Sequence, residues 1–389
     1  MSKSSKRFKP GDVILRIDEP LVYVSKNDHR MFTCDRCFKS IGSSLACSLC
    51  KKVYYCSKEC LKDSYEKIHR LECPILARQK PQQFENDGID FMQRLALRLY
   101  LLLLSDESLQ MKEFRLDHNG SIRTIKQMES HNNELKDSDR FKGILNYFHF
   151  YKIENFNLDL LLRCYGLLQI NSFGIDCYDA TTQTIDHRGC GLYVEASVFD
   201  HSCVPNACAS GDGLVLEIRA LRPIEIGEEI FIDYVQDVLA RKERNMILED
   251  RYFFTCQCEF GCDPKLYKPF DNEIDFKRYE VLNNLILTLA SKDHSERDTK
   301  RLLQLYQQRL AIQERFYQRC RYHPCLSLFY QCFLRFLILN HEQLDDVEPL
   351  INRITMIVRE HLSITHGKDH PFYQWSTNGN FSFIRREKN

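Results

Sequence analysis

Two segments in the middle of the chain decide the fold: Phe199-Asp200-His201-Ser202-Cys203-Val204-Pro205-Asn206 and Gly227-Glu228-Glu229-Ile230-Phe231-Ile232-Asp233-Tyr234. They belong to a longer stretch, residues 170–235, in which short aliphatic runs such as Leu214 to Ile218 are separated by glycine. Runs of this kind are typical of short strands joined by tight turns. The middle of the chain is therefore predicted to form a β-fold of short strands.

The regions on either side of this stretch predict a mixed architecture. Turn chemistry at residues 9–12 and β-type residues at 13–25 predict a strand near the start of the numbering. Residues 84–170 are predicted to be mainly helical, with a polar loop and a short helix at 105–140. From Ile274 onward, four helices with short connections are predicted to stack as helical hairpins in a short solenoid.

The composition excludes several classes of protein. Lys plus Arg total 54 and Asp plus Glu total 54, so the formal charge is zero, which argues against a chain held to nucleic acid by charge alone. Apolar residues make up 43% and charged residues 28%, as in folded globular chains. The longest apolar run, Leu99 to Leu104, is far shorter than the ~20 residues of a membrane span, so no membrane association is expected.

The unusual feature of the composition is its 18 cysteines. Disulfides would require an oxidising compartment, but residues 1–10 carry charges and lack the apolar core of a signal peptide. We therefore expect a reducing compartment, the nucleus and the cytoplasm, in which cysteine serves as a metal ligand.

Eight potential metal ligands lie between residues 34 and 73. Their spacing is Cys34-x2-Cys37, Cys47-x2-Cys50, Cys56-x3-Cys60 and His69-x3-Cys73. Thiolate and imidazole are the ligands that Zn²⁺ prefers, and four of them complete a closed structural site. Eight ligands are therefore enough for two zinc ions. Because a segment of ~40 residues has too small a core to fold unaided, the metal is expected to stabilise it.

This cysteine pattern resembles the MYND zinc finger, a family whose members interleave their two sites. The resemblance implies one zinc on Cys34, Cys37, Cys56 and Cys60, and the other on Cys47, Cys50, His69 and Cys73. It also implies proline-rich peptides as partners. Eight residues, 61–68, precede the histidine where the family usually has seven. Since a helix turns about 100° per residue, we expect the extra residue to be absorbed in a loop.

The region around this finger carries an excess of positive charge. Residues 26–80 contain twelve Lys and Arg and six Asp and Glu, a net charge of +6. The excess fits a basic patch for nucleic acid or an acidic partner, and it fits an ordinary solvated surface equally well. Both interpretations stay open at this point.

The two central segments resemble the SET domain of protein-lysine methyltransferases. That family carries Asn-His-Ser-Cys-x-Pro-Asn, followed by Gly-Glu-Glu, a hydrophobic residue, three further residues and Tyr. A MYND finger near the start of a SET domain is similar to the SMYD family in particular. The resemblance implies an α+β fold: a SET-type β-fold of short strands split by the MYND finger, with a helical insert and a C-terminal tetratricopeptide-like all-α lobe.

The SET resemblance also implies roles for individual residues. Tyr234 matches the catalytic tyrosine, while Tyr252 and Phe254 match residues that form the lysine channel and cover the cofactor. The positions that match the binding site for S-adenosyl-L-methionine are His131, Asn171, Asp200, His201, Tyr234, Tyr252 and Phe254.

Methyl transfer to lysine requires a neutral amine. With a pKa of about 10.4, only about one lysine in 2,500 is neutral at pH 7, a cost of about 4.6 kcal/mol. An aromatic channel lowers this cost by desolvating the lysine, and the sulfonium charge beside the amine lowers it further. A tyrosine hydroxyl at the end of the channel orients the amine for attack. Aromatic residues near Tyr234 therefore favour an enzyme.

A second cysteine cluster follows the SET signature, with the spacing Cys256-x-Cys258-x3-Cys262. Three thiolates leave one position of a tetrahedral zinc ion open. The resemblance implies that Cys203 fills this position, which brings the expected content to about three zinc ions. Cys208 is an alternative ligand, although a small buried side chain is its commoner role.

Two departures from the SET family bear on activity. Asp200 stands where the family has Asn, so the side chain keeps an acceptor, loses an amide donor and gains a charge. The Gly-x-Gly loop, whose glycines allow the backbone close to the cofactor, is not found ahead of residues 9–15. One wall of the cofactor pocket is therefore expected to be incomplete.

The leading hypothesis is a monomeric S-adenosyl-L-methionine-dependent protein-lysine N-methyltransferase that acts on a histone or non-histone lysine. The alternative is a catalytically weak or inactive SET and MYND scaffold that binds proline-rich peptides or chromatin partners. A third interpretation, a nucleic-acid-binding zinc protein, rests on the basic patch alone. The predicted division of the chain is an N-terminal SET segment at 1–33, a MYND finger at 34–73, a helical insert at 74–169, the SET core at 170–240, a post-SET zinc segment at 241–268 and a C-terminal helical lobe at 269–389.

Overall fold

The computed structural model describes residues 2–27, 29–42, 45–78, 91–180, 184–235, 239, 241–258, 273–292 and 298–377. Its strands are β1 Val13–Ile17, β2 Val22–Ser25, β3 Leu45–Ala46, β4 Tyr54–Tyr55, β5 Phe114–Arg115, β6 Ile122–Arg123, β7 Ser172–Asp179, β8 Thr184–Leu192, β9 Asp200–His201, β10 Ala207–Asp212, β11 Val215–Ala220 and β12 Phe231–Ile232. The α-helices are Lys58–Ser64, Arg70–Leu76, Phe91–Ser105, Asn132–Leu135, Asp139–Phe150, Leu158–Asn171, Arg241–Tyr252, Glu273–Ala290, Thr299–Phe316, Pro324–Leu339, Glu348–Thr365 and Pro371–Thr377.

The β-structure consists of small sheets that join distant parts of the chain. β1 pairs with β11, which pairs with β10, while β2 pairs with β8, which pairs with β7. All four pairings are antiparallel, with registers such as Leu15 opposite Ile218 and Val24 opposite Cys190. The region predicted as a single strand near the start of the numbering forms two strands, β1 and β2, and each lies in a sheet with strands of the central β-region.

A short parallel ladder joins the two segments that carry the SET signature. Phe231 of β12 lies opposite Asp200 of β9, and Ile232 lies opposite His201. This parallel register places the second segment alongside the first, so that Tyr234 lies next to His201. This ladder positions the candidate site.

Several helices of the insert and of the C-terminal lobe begin at side-chain caps. Ser138 accepts a hydrogen bond from the backbone N–H of Phe141, and Asn157 accepts one from Leu160. Asp298 caps the helix Thr299–Phe316 in the same way. Each cap satisfies an N–H group that has no partner within its own helix, which fixes where the helix begins.

Buried apolar side chains form separate clusters that correspond to parts of the fold. One joins the finger segment, residues 34–73, to the helices Phe91–Ser105 and Leu158–Asn171. Another fills the space between the C-terminal helices, and a third lies between β1, β10, β11 and β12. The mixture of small sheets and helices confirms the predicted α+β class. The exact division into domains stays a prediction.

The predicted helices of the C-terminal region are confirmed. Four long helices follow one another, Glu273–Ala290, Thr299–Phe316, Pro324–Leu339 and Glu348–Thr365. The polar region at 105–140 contains the predicted short helix, but it also contains the β5–β6 hairpin, which the sequence analysis missed. Strands of two residues are too short for an alternating pattern to reveal them.

Among the helices that the structure describes, none is long and apolar enough to cross a membrane.

Candidate functional site

Tyr234 is held at both its backbone and its side chain. Its N–H donates a hydrogen bond to Nδ1 of His201 (3.0 Å), and its hydroxyl donates to the backbone carbonyl of Phe199 (2.7 Å). Both partners come from the first signature segment, which the parallel ladder places beside the second. The hydroxyl is therefore directed to one point by the fold itself.

An aromatic group surrounds this tyrosine. The rings of Tyr234 and Tyr252 lie 4.8 Å apart, and those of Tyr234 and Phe254 lie 6.3 Å apart in an edge-to-face arrangement. Burial raises the pKa of Tyr234, and burial likewise raises the pKa of Tyr252. Both hydroxyls therefore stay protonated at neutral pH. They can donate hydrogen bonds and stabilise a positive charge against a ring face, but they are poor general bases.

A cleft of about 530 Å³ opens onto Tyr234. Asn171, Phe173, Phe199 and Tyr252 are among its lining residues. Asn171 lies at the end of the helix Leu158–Asn171, and Tyr252 at the end of the helix Arg241–Tyr252. The cleft therefore brings together three of the residues predicted for the site: Tyr234, Asn171 and Tyr252.

Asp200 lines an adjoining cavity of about 450 Å³, together with Arg123 and Ser197. Ser197 also lines the larger cleft, so the two cavities meet at this residue. Nε of Arg123 donates to the hydroxyl of Ser197 (3.1 Å). Burial lowers the pKa of Arg123, and the neighbouring Asp200 opposes that change. Arg123 was missed by the sequence analysis because its hairpin was not predicted.

Two side chains, Asn171 and Asp200, offer hydrogen-bond acceptors that fit the amino group of S-adenosyl-L-methionine. Nδ2 of Asn171 donates to the backbone carbonyls of Leu167 (2.8 Å) and Glu129 (3.3 Å). The amide oxygen is then the part of this side chain that remains for a ligand. An amide oxygen at Asn171 and a carboxylate at Asp200 are both acceptors, as an ammonium group requires.

The two predicted site histidines, His131 and His201, lie in different surroundings. The ring of His131 packs on that of Phe253, with centroids 4.8 Å apart, and both residues have positive φ angles. His201 is buried behind Tyr234, and the ring of Phe254 lies 6.0 Å from it. Phe253 was therefore missed as a neighbour of the predicted site. The run Tyr252-Phe253-Phe254 holds the signal, but the sequence does not tell which aromatic ring faces His131.

The finger segment brings its eight predicted ligands together in two groups. The ligand atoms of Cys34, Cys37, Cys56 and Cys60 lie within 4.8 Å of one another, as do those of Cys47, Cys50, His69 and Cys73. Sulfur separations of 3.7 Å (Cys37 to Cys56) and 3.6 Å (Cys47 to Cys73) are far longer than a disulfide bond. A tetrahedral zinc with Zn–S bonds of about 2.3 Å requires sulfurs about 3.8 Å apart, so both groups fit zinc.

The extra residue before His69 is not absorbed in a loop, and that expectation is wrong. The chain runs from the α-helix Lys58–Ser64 through a π-helical turn, Tyr65–His69, into the α-helix Arg70–Leu76. A π-helix closes its hydrogen bonds over five residues rather than four, so one additional residue fits within a continuous helix. The ligand positions on either side keep their relative orientation.

His69 is oriented by a buried carboxylate. Its Nδ1 faces Oε1 of Glu72 at 3.0 Å, while its Nε2 faces the sulfur of Cys50 at 3.6 Å. A carboxylate on one ring nitrogen presents the other to a metal ion, an arrangement typical of zinc-binding histidines. Glu72 was not among the predicted site residues, although its position three residues after a ligand was visible.

The third predicted zinc group is only partly described. The sulfurs of Cys203 and Cys256 lie 3.8 Å apart, and Cys258 is partly buried near them. Cys262 lies outside the described residues. Nε2 of His201 lies 3.3 Å from the sulfur of Cys203. The ligand atoms of His201, Cys203 and Cys256 lie within 4.8 Å of one another. Nδ1 of His201 accepts the N–H of Tyr234, which places the ring hydrogen on Nε2, facing the sulfur of Cys203.

The parallel signature ladder, the anchored tyrosine and the aromatic cleft define a SET-type site. A family model described as the SET domain matches residues 3–235, more than half of the chain. This chain therefore belongs to the SET domain family.

SMYD proteins are among its curated relatives, which confirms the predicted resemblance. N-lysine methyltransferase SMYD2-B of Xenopus laevis is 26% identical over 275 residues, covering 70% of this chain and 60% of the relative. Histone-lysine N-methyltransferase SMYD3 of Homo sapiens is 31% identical over 265 residues, covering 66% and 57%. N-lysine methyltransferase SMYD2 of Homo sapiens is 28% identical over 259 residues, covering 65% and 55%. The chain thus spans 55–60% of the length of these relatives.

Proposed function

We propose that this chain is an S-adenosyl-L-methionine-dependent protein-lysine N-methyltransferase. The observation that carries the proposal is the hydroxyl of Tyr234, which is half-buried and donates a hydrogen bond to the carbonyl of Phe199 at the aromatic cleft. The relatives are N-lysine and histone-lysine methyltransferases, which supports the same reaction. The substrate would be a lysine side chain of a histone or of another protein.

The residues of the cleft would act on the lysine amine in two ways. Burial among the rings of Tyr234, Tyr252 and Phe254 would desolvate the amine and favour its neutral, nucleophilic form. The hydroxyl oxygen of Tyr234 and the carbonyl of Phe199 would orient it, since both can accept hydrogen bonds from the N–H groups of the amine and leave its lone pair free to attack. S-adenosyl-L-methionine, when bound, supplies the methyl group. Asn171 and Asp200 would accept hydrogen bonds from its amino group.

The first test is calorimetric titration of the purified, zinc-loaded chain with S-adenosyl-L-methionine. We expect micromolar binding, about −8 kcal/mol. Absence of detectable binding would contradict the proposal. Methyl transfer from labelled cofactor to core histones then tests the reaction itself.

Replacing Tyr234 with Phe tests its assigned role. Tyr234→Phe should lower kcat by at least about 100-fold, because the group that orients the amine is lost. Zinc content should not change. Tyr373→Phe, the same exchange on the helix Pro371–Thr377 away from the cleft, is the matched control and should retain the activity. Unchanged turnover in Tyr234→Phe would overturn the role.

Asp200 favours one alternative, a SET and MYND scaffold with weak or no catalysis. The carboxylate lacks the amide donor that the family carries at this position, and it lies beside Arg123 in the adjoining cavity. If the scaffold proposal is right, the parent chain does not bind the cofactor, whereas Asp200→Asn recovers binding. If the enzyme proposal is right, the parent chain already binds it.

Three zinc ions are proposed to hold the finger segment and the third cysteine group. Proline-rich peptides are proposed as partners of the finger, which borders a cavity of about 610 Å³ against β7 and β8. Fluorescence anisotropy with a labelled polyproline peptide would test this.

Nucleic-acid binding would show as a strong dependence of affinity on salt. A monomeric state and a location in nucleus and cytoplasm are checked by sedimentation and by imaging of a tagged chain.

A further inference from the structure

A buried pair of side chains joins the segment that follows β12 to the C-terminal helices. Asp233 directly precedes Tyr234, and its side chain is 6% exposed. His323, 2% exposed, is the N-cap residue of the helix Pro324–Leu339. Nε2 of His323 lies 3.3 Å from Oδ2 of Asp233. The residue next to the reacting tyrosine therefore contacts a different part of the fold, about ninety residues further along the chain.

The imidazole of His323 is held in one orientation. The backbone N–H of Cys325 donates to Nδ1 (3.2 Å), which places the ring hydrogen on Nε2, the nitrogen that faces the carboxylate. The ring of Tyr317 stacks on the imidazole, with centroids 4.0 Å apart and an angle of 16° between the planes. His323 thus presents an N–H group to Asp233 from a rigid support.

The carboxylate of Asp233 in turn holds the backbone beyond Tyr234. Its Oδ1 accepts a hydrogen bond from the N–H of Val235 (2.9 Å), while the N–H of Tyr234 donates to His201 (3.0 Å). The backbone at Tyr234 and at the next residue is therefore fixed by buried side chains. Because a displacement of about 1 Å at a reacting group costs on the order of 100-fold in rate, this support bears on catalysis.

We propose that His323 is a positioning residue for Tyr234 and acts through the carboxylate of Asp233. The proposal rests on the proposed methyltransferase function. A competing interpretation is a metal site, because the ligand atoms of Asp233, His323 and Cys325 lie within 4.8 Å of one another. The hydrogen on Nε2 argues against it, since a metal-binding histidine donates from its other nitrogen, and here that nitrogen accepts.

The test compares His323→Leu, His323→Gln and Asp233→Asn, with labelled S-adenosyl-L-methionine and core histones as the probes. His323→Leu should lower kcat by about 10- to 100-fold while KM and cofactor affinity stay unchanged, because Tyr234 is displaced but not removed. His323→Gln should restore part of the rate, since its amide can replace the Nε2 hydrogen. Asp233→Asn keeps an acceptor for Val235 but turns an NH₂ group towards His323, so it should show the same loss of kcat from the other side of the pair.

A second measurement does not depend on activity. Hydrogen exchange of residues 231–235 should be faster in His323→Leu than in the parent chain, because the amides of Tyr234 and Val235 lose their support. His341→Leu, in the same lobe, is the control and should change neither exchange nor kcat. If the parent chain transfers no methyl group, the methyltransferase proposal fails, while faster exchange still establishes the link. Unchanged exchange with unchanged kcat, or the loss of one zinc equivalent in His323→Leu, would overturn the positioning role.

Discussion

At the scale of single residues, one imidazole connects two functions of the chain. His201 accepts the N–H of Tyr234 on one nitrogen and faces the sulfur of Cys203 with the other. Burial lowers the pKa of this histidine, which keeps the ring neutral and therefore able to accept and donate at the same time. The third cysteine group and the candidate catalytic tyrosine thus contact the two nitrogens of the same imidazole ring.

A second buried histidine predicts how the C-terminal lobe responds to acid. Burial lowers the pKa of His361 to about 4, although its Nδ1 lies 2.8 Å from the hydroxyl of Ser327. The unfolded chain binds this proton below about pH 6.5, whereas the folded chain binds it only near pH 4. The free energy of unfolding should therefore fall as the pH drops from about 6.5 to 4, by about 2 kcal/mol at pH 5.

Replacing His361 with Gln should remove this part of the acid sensitivity. Denaturation followed by the fluorescence of Trp375, the single tryptophan, reports on the same lobe. His341→Gln is the control and should keep the parent's pH dependence. Equal loss of stability between pH 7 and 5 in His361→Gln and in the parent would contradict the assignment.

At the scale of elements, a buried charge network locks the finger segment to the helix Phe91–Ser105. Arg94 bonds both oxygens of Asp35 (2.9 and 3.1 Å), and it also bonds Glu72. Arg98 reaches the same two carboxylates at 2.6 Å. Burial alone would raise the pKa of Asp35, but the two guanidinium groups hold it below its ordinary value. Two positive and two negative groups compensate one another inside the protein.

Removal of one charged group from this network should lower the free energy of unfolding strongly. Arg98→Met leaves two buried carboxylates with a single guanidinium, so we expect a loss of about 3–5 kcal/mol in the free energy of unfolding. Arg140→Met removes the exposed pair with Asp250 and should cost less than about 1 kcal/mol. Thermal unfolding of the two variants measures the difference. Similar melting temperatures would show that the network contributes little to stability.

The π-helical turn makes a further prediction about the finger. Deletion of Glu66, an exposed residue of that turn, should convert Tyr65–His69 into ordinary α-helix and leave His69 correctly oriented. Zinc content should therefore not change. Deletion of Leu71 instead shortens the spacing between His69 and Cys73, and should release one zinc equivalent. Metal analysis of both proteins decides, and a loss of zinc on deleting Glu66 would contradict the role of the turn.

At the scale of the whole molecule, two different interactions stabilise different regions: metal ligation in the finger segment and apolar packing in the C-terminal helices. The finger segment places eight ligands around two points, while the C-terminal helices rest on a large apolar cluster with no part in those groups. Structural zinc contributes folding energy directly, on the order of 10 kcal/mol in small domains. The two regions should therefore respond differently to chelation.

Chelation should release about three zinc ions per chain and unfold the finger before the C-terminal lobe. A colorimetric assay of released zinc gives the count, and the fluorescence of Trp375 reports on the lobe. A count of two would mean that the Cys203 and Cys256 group is empty. Simultaneous loss of the tryptophan signal would show that the lobe depends on the metal.

The sequence by itself determined the residue types of the site and the existence of most elements. Cysteine spacing identified the eight finger ligands because zinc ligands must be of particular chemical kinds at short intervals, and the family resemblance assigned them to two groups. Helical periodicity found the four long C-terminal helices because their apolar faces repeat locally. Motif resemblance supplied Tyr234, Asn171 and Tyr252, which the structure brings into one cleft.

Tertiary structure alone decided what these residues touch. The register of β9 against β12, the stacking of His131 on Phe253 and the contact of Asp233 with His323 join residues that are far apart along the chain. No local pattern encodes such contacts, because they depend on how whole elements pack. The π-helical turn before His69 shows the same principle at short range. The widened helix places His69 beside Cys47, Cys50 and Cys73, a contact that the local sequence does not reveal.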